Sequence, residues 1–364
     1  MTVDNGTASP RTLDARAIDG TVMDGTVIGA AVMDGTVMDG TITGGRGLAG
    51  TRHLIHRPPS RAHYALDVPS LGEENFTLVG TTPVAHPLFN DGPAHFHDMQ
   101  IATETMGEIG AFVGQRYYGV PEDRPGLFYR FTLNLTDLAA WRSTGPGAGP
   151  LPMATRIRAR PSNVVAEVPR GLDFHIEVSL GDRPCATGAA GLVFLMPRLY
   201  RRHVEHSRQA LRAAPELDDA PDGPLRPAGA RDVGRYATEN VVVSEPADAS
   251  RGRISTWLLA AGVSPVFAGE DGRLSGLHVL EALRQASLLA AGRAHGLDAR
   301  RSALGALQVH FRGQAEHDMP LRCVAVAGPL GQGADGRPAV PVTLTLTQRR
   351  RAVAEARTSV VQDY

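Results

Sequence analysis

The sequence predicts an α+β protein built from two related units, each a curved antiparallel sheet wrapped around a central helix. Residues 98–112 align without a gap with residues 275–289, so that Glu104 falls on Glu281. Both segments have a helical pattern, and several strand-like runs separated by Gly/Pro-rich turns follow each of them. Self-similarity on the scale of a small domain indicates a duplicated unit rather than a solenoid.

The predicted elements divide the chain into four parts. Residues 1–48 repeat Asp-Gly-Thr-Val or Asp-Gly-Thr-Ile and can bury little apolar surface, so we expect a disordered low-complexity tail. The first unit covers 51–206, a linker rich in Pro, Ala, Asp and Arg covers 207–234, and the second unit covers 235–364. The predicted strands are 77–82, 127–138, 154–167, 172–180 and 184–196 in the first unit, and 302–312, 319–327, 339–348 and 351–361 in the second.

Composition excludes several classes of protein. The 364 residues are 42% hydrophobic and 21% charged with a formal net charge of -1, as in a globular protein without a general nucleic-acid footprint. No apolar run is long enough to span a membrane, so we expect neither nucleic acid nor membrane as a partner. Cys185 and Cys323 are too few for a disulfide framework, which favours a cytoplasmic location.

The second predicted helix carries polar residues in apolar surroundings. Glu281, Arg284 and Gln285 are spaced i, i+3 and i+4 and share one face, while leucines and alanines cover another. Ionisable side chains in a helix with so little solvent-exposed surface indicate a catalytic or ligand-binding role. The alternative is an exposed ion pair between Glu281 and Arg284, which contributes little to stability.

These residues resemble the A-factor biosynthesis (AfsA-type) family of γ-butyrolactone synthases, which have two tandem hotdog units. The resemblance covers roughly residues 52–363, and the Glu-Ala-x-Arg-Gln helix is its most specific feature. The segments that carry it are His56-Arg57, His86-Pro87-Leu88-Phe89, Glu281-Ala282-Leu283-Arg284-Gln285 and the run from Phe311 to Pro320.

The resemblance implies an acyltransferase that acts in the synthesis of a butyrolactone or furan signalling molecule. A β-ketoacyl group, delivered as a thioester on an acyl carrier protein or coenzyme A, would condense with the hydroxyl of dihydroxyacetone phosphate. Glu281, with a pKa raised by its apolar helix, is then the predicted general base. Arg284 would hold the phosphate or the developing oxyanion, and Gln285 would bind a carbonyl.

The first unit departs from this pattern. Gly107 replaces the arginine and Glu108 the glutamine, so Glu104 and Glu108 are two carboxylates one turn apart. One possibility is that one of the two carboxylates has a raised pKa and acts as a general acid or base. The other is that the first unit has no catalytic group and only shapes the tunnel that holds the acyl chain of the substrate. His86 lies before the helix, at the position where dehydratase-type hotdog proteins carry a histidine, which suggests a role in the site. The alternative is a loop histidine that only forms hydrogen bonds with the backbone. Near the comparable turn the second unit has Arg273 and not a histidine. The sequence therefore favours one active site built across both units rather than one site in each.

No metal and no cofactor are expected. His95, His97 and Asp98 lie close together, but no third distant cluster of ligands accompanies them, and Asp98 is a ready N-cap for the first helix. Neither a Gly-x-Gly-x-x-Gly sequence after a strand nor a Walker loop nor a Gly-x-Ser-x-Gly elbow is present. Nucleotide binding and serine hydrolase chemistry therefore have no support.

Two other functions stay open. A hotdog acyl-thioester dehydratase or thioesterase would be favoured if His86 and Glu104 formed the working pair without Arg284. A non-catalytic regulatory protein that binds an acyl ligand would be favoured if Glu281 and Arg284 were paired and sealed from any cavity.

Overall fold

A computed structural model describes the chain from residue 74 to its C-terminal residue, with short gaps. The residues described in full are 74–93, 95–143, 149–214, 223–247, 252–269 and 272–364, except that 104, 105, 107 and 108 are described by their backbone alone. Backbone alone is also described for 36–38, 51–56, 63–68 and 248–250. The tail predicted at 1–48 therefore lies outside the described residues, apart from the backbone of 36–38.

The described residues form one antiparallel sheet and three α-helices. The helices are α1 (Gln100–Tyr117), α2 (Pro197–Ala213) and α3 (Gly276–His295). The strands are β1 (Thr36–Met38), β2 (Thr51–His56), β3 (His63–Val68), β4 (Asn75–Thr81), β5 (Gly126–Leu135), β6 (Pro152–Val165), β7 (Val168–Leu180), β8 (Arg183–Phe194), β9 (Ala247–Ser250), β10 (Arg253–Trp257), β11 (Ser302–Phe311), β12 (Arg322–Ala327), β13 (Gly331–Gln332), β14 (Pro338–Gln348) and β15 (Arg351–Gln362).

The order of the strands places the strands of the two predicted units side by side in one sheet. The sheet runs β1-β2-β3-β4-β6-β7-β8-β5-β11-β15-β14-β12-β10-β9, with β13 paired to β14 alone. Strands that follow α1 lie on one side of the β5–β11 pair and strands that follow α3 lie on the other. At that junction Leu133 lies opposite Leu307, and both side chains are buried. Each predicted strand is present with its ends shifted by a few residues, and the α+β prediction is confirmed.

Helix α3 is the most deeply buried element of the described chain. Every residue from Gly276 to Ala291 is buried, and its alanines and leucines pack against the strands of the second unit. Ser275 caps its first turn by accepting a hydrogen bond from the His278 N–H at 3.2 Å. Gly296 ends it with a left-handed φ of 71°. Polar side chains on this helix must therefore find partners inside the protein.

Helix α1 packs closely on the sheet of the first unit at two glycines. A Cβ atom added at Gly114 would lie 2.2 Å from the ring of Phe194, and one at Gly110 would lie 2.9 Å from the ring of Phe128. Residues without a side chain are thus needed for the helix to approach the sheet. This approach sets the position of the start of α1, which faces α3.

Helix α2 differs from the prediction. Residues 207–213, predicted as the start of a linker, are its last two turns, and β8 ends at Phe194 rather than at Met196. Pro197 fits the first turn of a helix, and Arg, Ala and Leu favour its continuation. The proline- and aspartate-rich residues 215–222 that follow are outside the described residues. None of the helices in the described parts of the chain is long and apolar enough to cross a bilayer.

Candidate active site

Glu281 lies at the centre of a fully buried hydrogen-bonded cluster. Its side chain has no exposed surface, and its two carboxylate oxygens accept six hydrogen bonds. Arg235 donates from Nε and Nη2, both at 2.9 Å, and Arg284 donates from Nε at 2.9 Å and Nη2 at 2.8 Å. The amides of Gln285 and Gln100 each donate at 2.6 Å. Both oxygens are therefore fully occupied by the protein itself.

This environment holds Glu281 ionised. Burial by itself would raise the pKa of the carboxyl, but the positive charges of Arg235 and Arg284 outweigh it and lower the pKa to about 2. The raised pKa that the sequence predicted for Glu281 is therefore wrong. The apolar helix excludes water as expected, but two guanidinium groups replace the water. A carboxylate so placed orients arginines and is a poor acceptor for a substrate proton.

Arg235, which no pattern in the sequence indicates, connects the two predicted units. It follows Gly234, whose φ of 67° turns the chain inward, and its side chain is only 2% exposed. Besides contacting Glu281, its Nη1 lies 2.9 Å from the carbonyl oxygen of Leu88, 2.9 Å from that of Asp91 and 2.8 Å from the Asp98 carboxylate. Nothing in the local sequence distinguishes this arginine, because it belongs to no periodic pattern.

Arg284 is the member of the cluster that reaches open space with a free donor. Its Nε and Nη2 are held by Glu281, and Nη2 also donates to the carbonyl oxygen of Val233 at 2.9 Å. Its Nη1 makes no hydrogen bond to any described residue, and the side chain forms part of the wall of a cavity. The guanidinium plane is thus fixed by Glu281 while one edge stays available.

The cavity measures about 480 Å³ and lies between the two units. Its wall is formed on one side by residues 82–84, 89, 90, 92, 93, 95–99, 143 and 149, and on the other by 234–236, 284, 299, 300 and 302–304. Arg235, Arg284 and Arg300 supply positive charge, while Asp98 accepts a hydrogen bond from Arg235. A small polar cavity with arginines in its wall suits an anionic ligand.

Gln285 and His86 have partners within the chain. Gln285 is fully buried, donates to the carbonyl oxygen of Asn240 at 2.7 Å and accepts from the Val242 N–H at 2.9 Å, and it does not contribute to the cavity wall. His86 Nδ1 accepts hydrogen bonds from the N–H groups of Leu88 and Phe89, both at 3.2 Å. These two contacts are those expected of a loop histidine that binds backbone, and the role predicted for His86 in the site stays a prediction.

The predicted pair Glu104 and Glu108 lies in α1, and the side chains of both residues are outside the described part of the structure. Gln100, one turn before Glu104, is the residue of α1 whose described side chain reaches Glu281. The start of α1 thus completes a cluster centred on α3. The roles predicted for Glu104 and Glu108 stay predictions.

The described residues before α1 place their side chains differently from the predicted cap. Among the described residues, no group of three His, Cys, Asp or Glu side chains is arranged to hold a metal ion. The predicted capping role of Asp98 is wrong, because Met99 takes the N-cap position and the Asp98 carboxylate accepts from Arg235 instead. His95 Nε2 lies 2.8 Å from the carboxylate of Asp363, near the C-terminus. His97 contributes to the cavity wall.

Comparisons with known proteins find similarity to one family and to two named relatives. Residues 218–361 match the family model described as the A-factor biosynthesis hotdog domain. A 2-oxo-3-(phosphooxy)propyl 3-oxoalkanoate synthase of Streptomyces griseus is 27% identical over 244 residues, which are 66% of this chain and 75% of that protein. The synthase of the same name from strain JCM 4626 is also 27% identical, with 72% of its length covered.

Solved structures with a similar arrangement are more distant. A putative thioesterase from Novosphingobium aromaticivorans is 14% identical with a TM-score of 0.45, and the match covers 79% of this chain and 96% of that one. A putative oleoyl thioesterase from Lactobacillus plantarum is 9% identical with a TM-score of 0.48, and the match covers 80% of this chain and 97% of that one.

Proposed function

We propose that this chain, whose residues 218–361 match the model of the A-factor biosynthesis hotdog domain, is an acyltransferase in γ-butyrolactone-type signal synthesis. It joins a β-ketoacyl group, carried as a thioester, to a hydroxyl of dihydroxyacetone phosphate. The product named for the Streptomyces griseus relatives is such an ester, a 3-oxoalkanoate of the 2-oxo-3-(phosphooxy)propyl group. An acyl carrier protein or coenzyme A supplies the acyl group in this proposal, and no cofactor is required.

The free edge of Arg284 in the cavity is the observation that supports this function most. Glu281 accepts hydrogen bonds from Nε and Nη2 of Arg284, so the N–H groups of Arg284 Nη1 point in a fixed direction before any ligand binds. A preset guanidinium edge binds a phosphate oxygen with little loss of side-chain entropy. In the proposal Arg284 therefore binds the phosphate of the acceptor. Arg300 also contributes to the cavity wall, but its guanidinium is paired with the Asp298 carboxylate at 2.8 Å.

The reaction exchanges one acyl bond for another. The acceptor hydroxyl loses its proton, its oxygen attacks the thioester carbonyl carbon, and the carbon–sulfur bond breaks. The sulfur leaves as a thiolate and takes up a proton, so the products are the phosphorylated ester and a free thiol. Ring closure to a lactone or furan is a separate, later reaction.

The regulatory alternative has partial support. It requires Glu281 and Arg284 to be paired and sealed from any cavity, and they are indeed paired. Arg284 nevertheless contributes to the wall of an open cavity, which favours ligand chemistry. A dehydratase or thioesterase using His86 has less support, since backbone N–H groups occupy the Nδ1 of that histidine.

The test is acceptor selectivity measured by mass spectrometry of the products. Wild-type protein receives a β-ketoacyl thioester with dihydroxyacetone phosphate, with unphosphorylated dihydroxyacetone, or with water alone. We expect ester from the phosphorylated acceptor, with only weak turnover of the other two. Hydrolysis that is equally fast without an acceptor would identify a thioesterase, and tight binding of the thioester without product would identify a regulatory protein.

The Arg284→Lys variant then tests the role of the guanidinium. Losing a charged hydrogen bond worth about 1.5 to 3 kcal/mol should raise KM for dihydroxyacetone phosphate by roughly tenfold to a hundredfold. The matched control is Arg312→Lys, because Arg312 pairs with Glu355 on the exposed outer face of the sheet. A fall in kcat at unchanged KM would contradict phosphate binding and assign Arg284 to the oxyanion.

A further inference from the structure

Helix α2 carries arginines along its solvent-exposed face. Arg198, Arg201, Arg202 and Arg212 are all exposed, and their spacing places them on the same side of the helix. Glu205 is the one acidic residue of α2. From Arg198 to Arg212 the row extends for about 21 Å, at about 1.5 Å per residue. This side of the helix is therefore positively charged along most of its length.

The turn between β14 and β15 extends the same positive surface. Arg349 and Arg350 have left-handed φ values of 47° and 62°, which turn the chain tightly. Arg349 Nη1 donates to the carbonyl oxygens of Leu211 at 3.0 Å and Ala214 at 2.7 Å, and this holds the turn against the end of α2. Two arginine clusters that are distant in sequence thus form one surface, the basic face, which consists of Arg198, Arg201, Arg202, Arg212, Arg350 and Arg351.

The basic face lacks the acidic partners that other exposed arginines have. Arg130 and Arg312 on the sheet are paired with carboxylates at 2.7 and 2.8 Å, but none of the six arginines of the basic face forms an ion pair with a described residue. Arg351 lies near enough to α2 to help burial and His206 lower the pKa of His203. Uncompensated positive charge on a chain of net charge -1 attracts a negatively charged partner.

The size and composition of the basic face fit a protein partner. Met196 and Leu199, at the start of α2, are 50% and 56% exposed beside the arginines. Apolar side chains next to arginines are typical of protein interfaces, in which Met and Arg are enriched. A row of charges about 21 Å long also exceeds the reach of one small anionic ligand. The partner is therefore a protein with an acidic surface.

Helix α2 holds the basic face near the start of α3. Arg208 donates from Nε to both carboxylate oxygens of Glu316, at 3.0 and 2.9 Å. The Tyr200 hydroxyl accepts a hydrogen bond from Arg273, which lies just before α3. From the first residue of α3 to Arg284 the helix rises by about 12 Å. A thioester on a flexible arm can cross such a distance while its carrier stays outside.

We propose that the basic face docks the acyl carrier protein, an inference that rests on the proposed function and selects the carrier protein over coenzyme A as the donor. The arginines attract an acidic surface of the carrier, and Met196 and Leu199 contact apolar residues on it. Docking delivers the thioester to the cavity and involves no covalent step of its own.

The test compares Arg201→Glu/Arg202→Glu with Arg156→Glu/Arg170→Glu. Both variants reverse two positive charges at exposed arginines, on α2 in the first and on β6 and β7 in the second. The donors are a β-ketoacyl carrier protein and the same acyl group on N-acetylcysteamine, a small neutral thiol. We expect the first variant to lower kcat/KM at least about tenfold with the carrier-bound donor and less than about twofold with the small donor. The second variant should match wild type with both.

Ionic strength provides a second readout of docking. Raising the salt concentration from about 0.02 M to about 0.3 M shortens the range of electrostatic attraction. The wild-type kcat/KM for the carrier-bound donor should therefore fall as salt is added, whereas that of Arg201→Glu/Arg202→Glu should barely change. The small donor should show no salt dependence with either protein.

The outcomes separate docking from the proposed function. If Arg201→Glu/Arg202→Glu keeps the wild-type rate with the carrier-bound donor, the basic face is not the docking site, even if it binds DNA or anionic vesicles. An equal loss with both donors would also overturn docking. If the wild type makes no ester from either donor, the proposed function fails, and direct binding then tests docking. Salt-sensitive binding of the carrier protein by the wild type but not by the variant would retain it, and no binding would overturn it.

Discussion

Replacing Glu281 by glutamine should destabilise the whole protein as well as inactivate it. Glutamine has nearly the volume of glutamate, so no cavity is created, but the negative charge is lost and a single amide oxygen replaces two acceptors. Arg235, 2% exposed, and Arg284, 8% exposed, would then both lack a counter-charge at this position. Breaking one buried ion pair costs about 3 to 5 kcal/mol, and two guanidinium groups depend on Glu281.

The matched control is Glu355→Gln. Glu355 pairs with Arg312 through Nη2 at 2.8 Å, but the two side chains are 49% and 43% exposed. Such a pair contributes about 0 to 1 kcal/mol, because water replaces the lost contact. The chemical change is identical at the two positions, so the difference between them isolates burial.

Urea unfolding at pH 7 measures both variants. Trp141 in the first unit and Trp257 in the second provide fluorescence signals for the two halves. We expect Glu281→Gln to lose at least about 3 kcal/mol, with the loss seen in both signals because Arg235 and Gln100 connect the units. A loss similar to that of Glu355→Gln, with activity abolished, would refute the structural role of Glu281 and restore it as a candidate base.

Further predictions concern acid stability and packing. Because the pKa of Glu281 is lowered from 4.5 to about 2, its stabilising effect is complete above pH 4.5 and is lost as pH falls towards 2. Urea midpoints of the wild type should therefore fall across that window more steeply than those of Glu281→Gln, and parallel curves would contradict the shift. Gly114→Ala should lower the melting temperature although alanine favours helices, because the new methyl group would lie 2.2 Å from the Phe194 ring. A rise in melting temperature would show that α1 can move away from the sheet.

The fold was predictable because its signals are periodic. The alternation of apolar and polar residues in β6 and β7 marks both strands, and the observed ends, Pro152–Val165 and Val168–Leu180, lie within a few residues of those expected. Helix α3 is apolar on almost every side, which indicates a central helix. Helix α2 was not predicted, because its Arg-rich sequence resembles a solvated turn or linker.

The site was only half predictable, since its decisive contacts are between residues distant in sequence. The spacing of Glu281 and Arg284 within one helix turn does bring them together. The contacts of Glu281 with Arg235 and Gln100 span 46 and 181 residues, and no local pattern reports them. These distant donors reverse the direction in which the Glu281 pKa was expected to shift.

The most direct measurement is mass spectrometry of the wild-type reaction with a β-ketoacyl thioester and dihydroxyacetone phosphate, counting ester and free thiol together. The proposed acyl transfer predicts one phosphorylated β-ketoacyl ester for each thiol released, and none when the acceptor is withheld. Release of thiol with the free β-keto acid as the main product would contradict it.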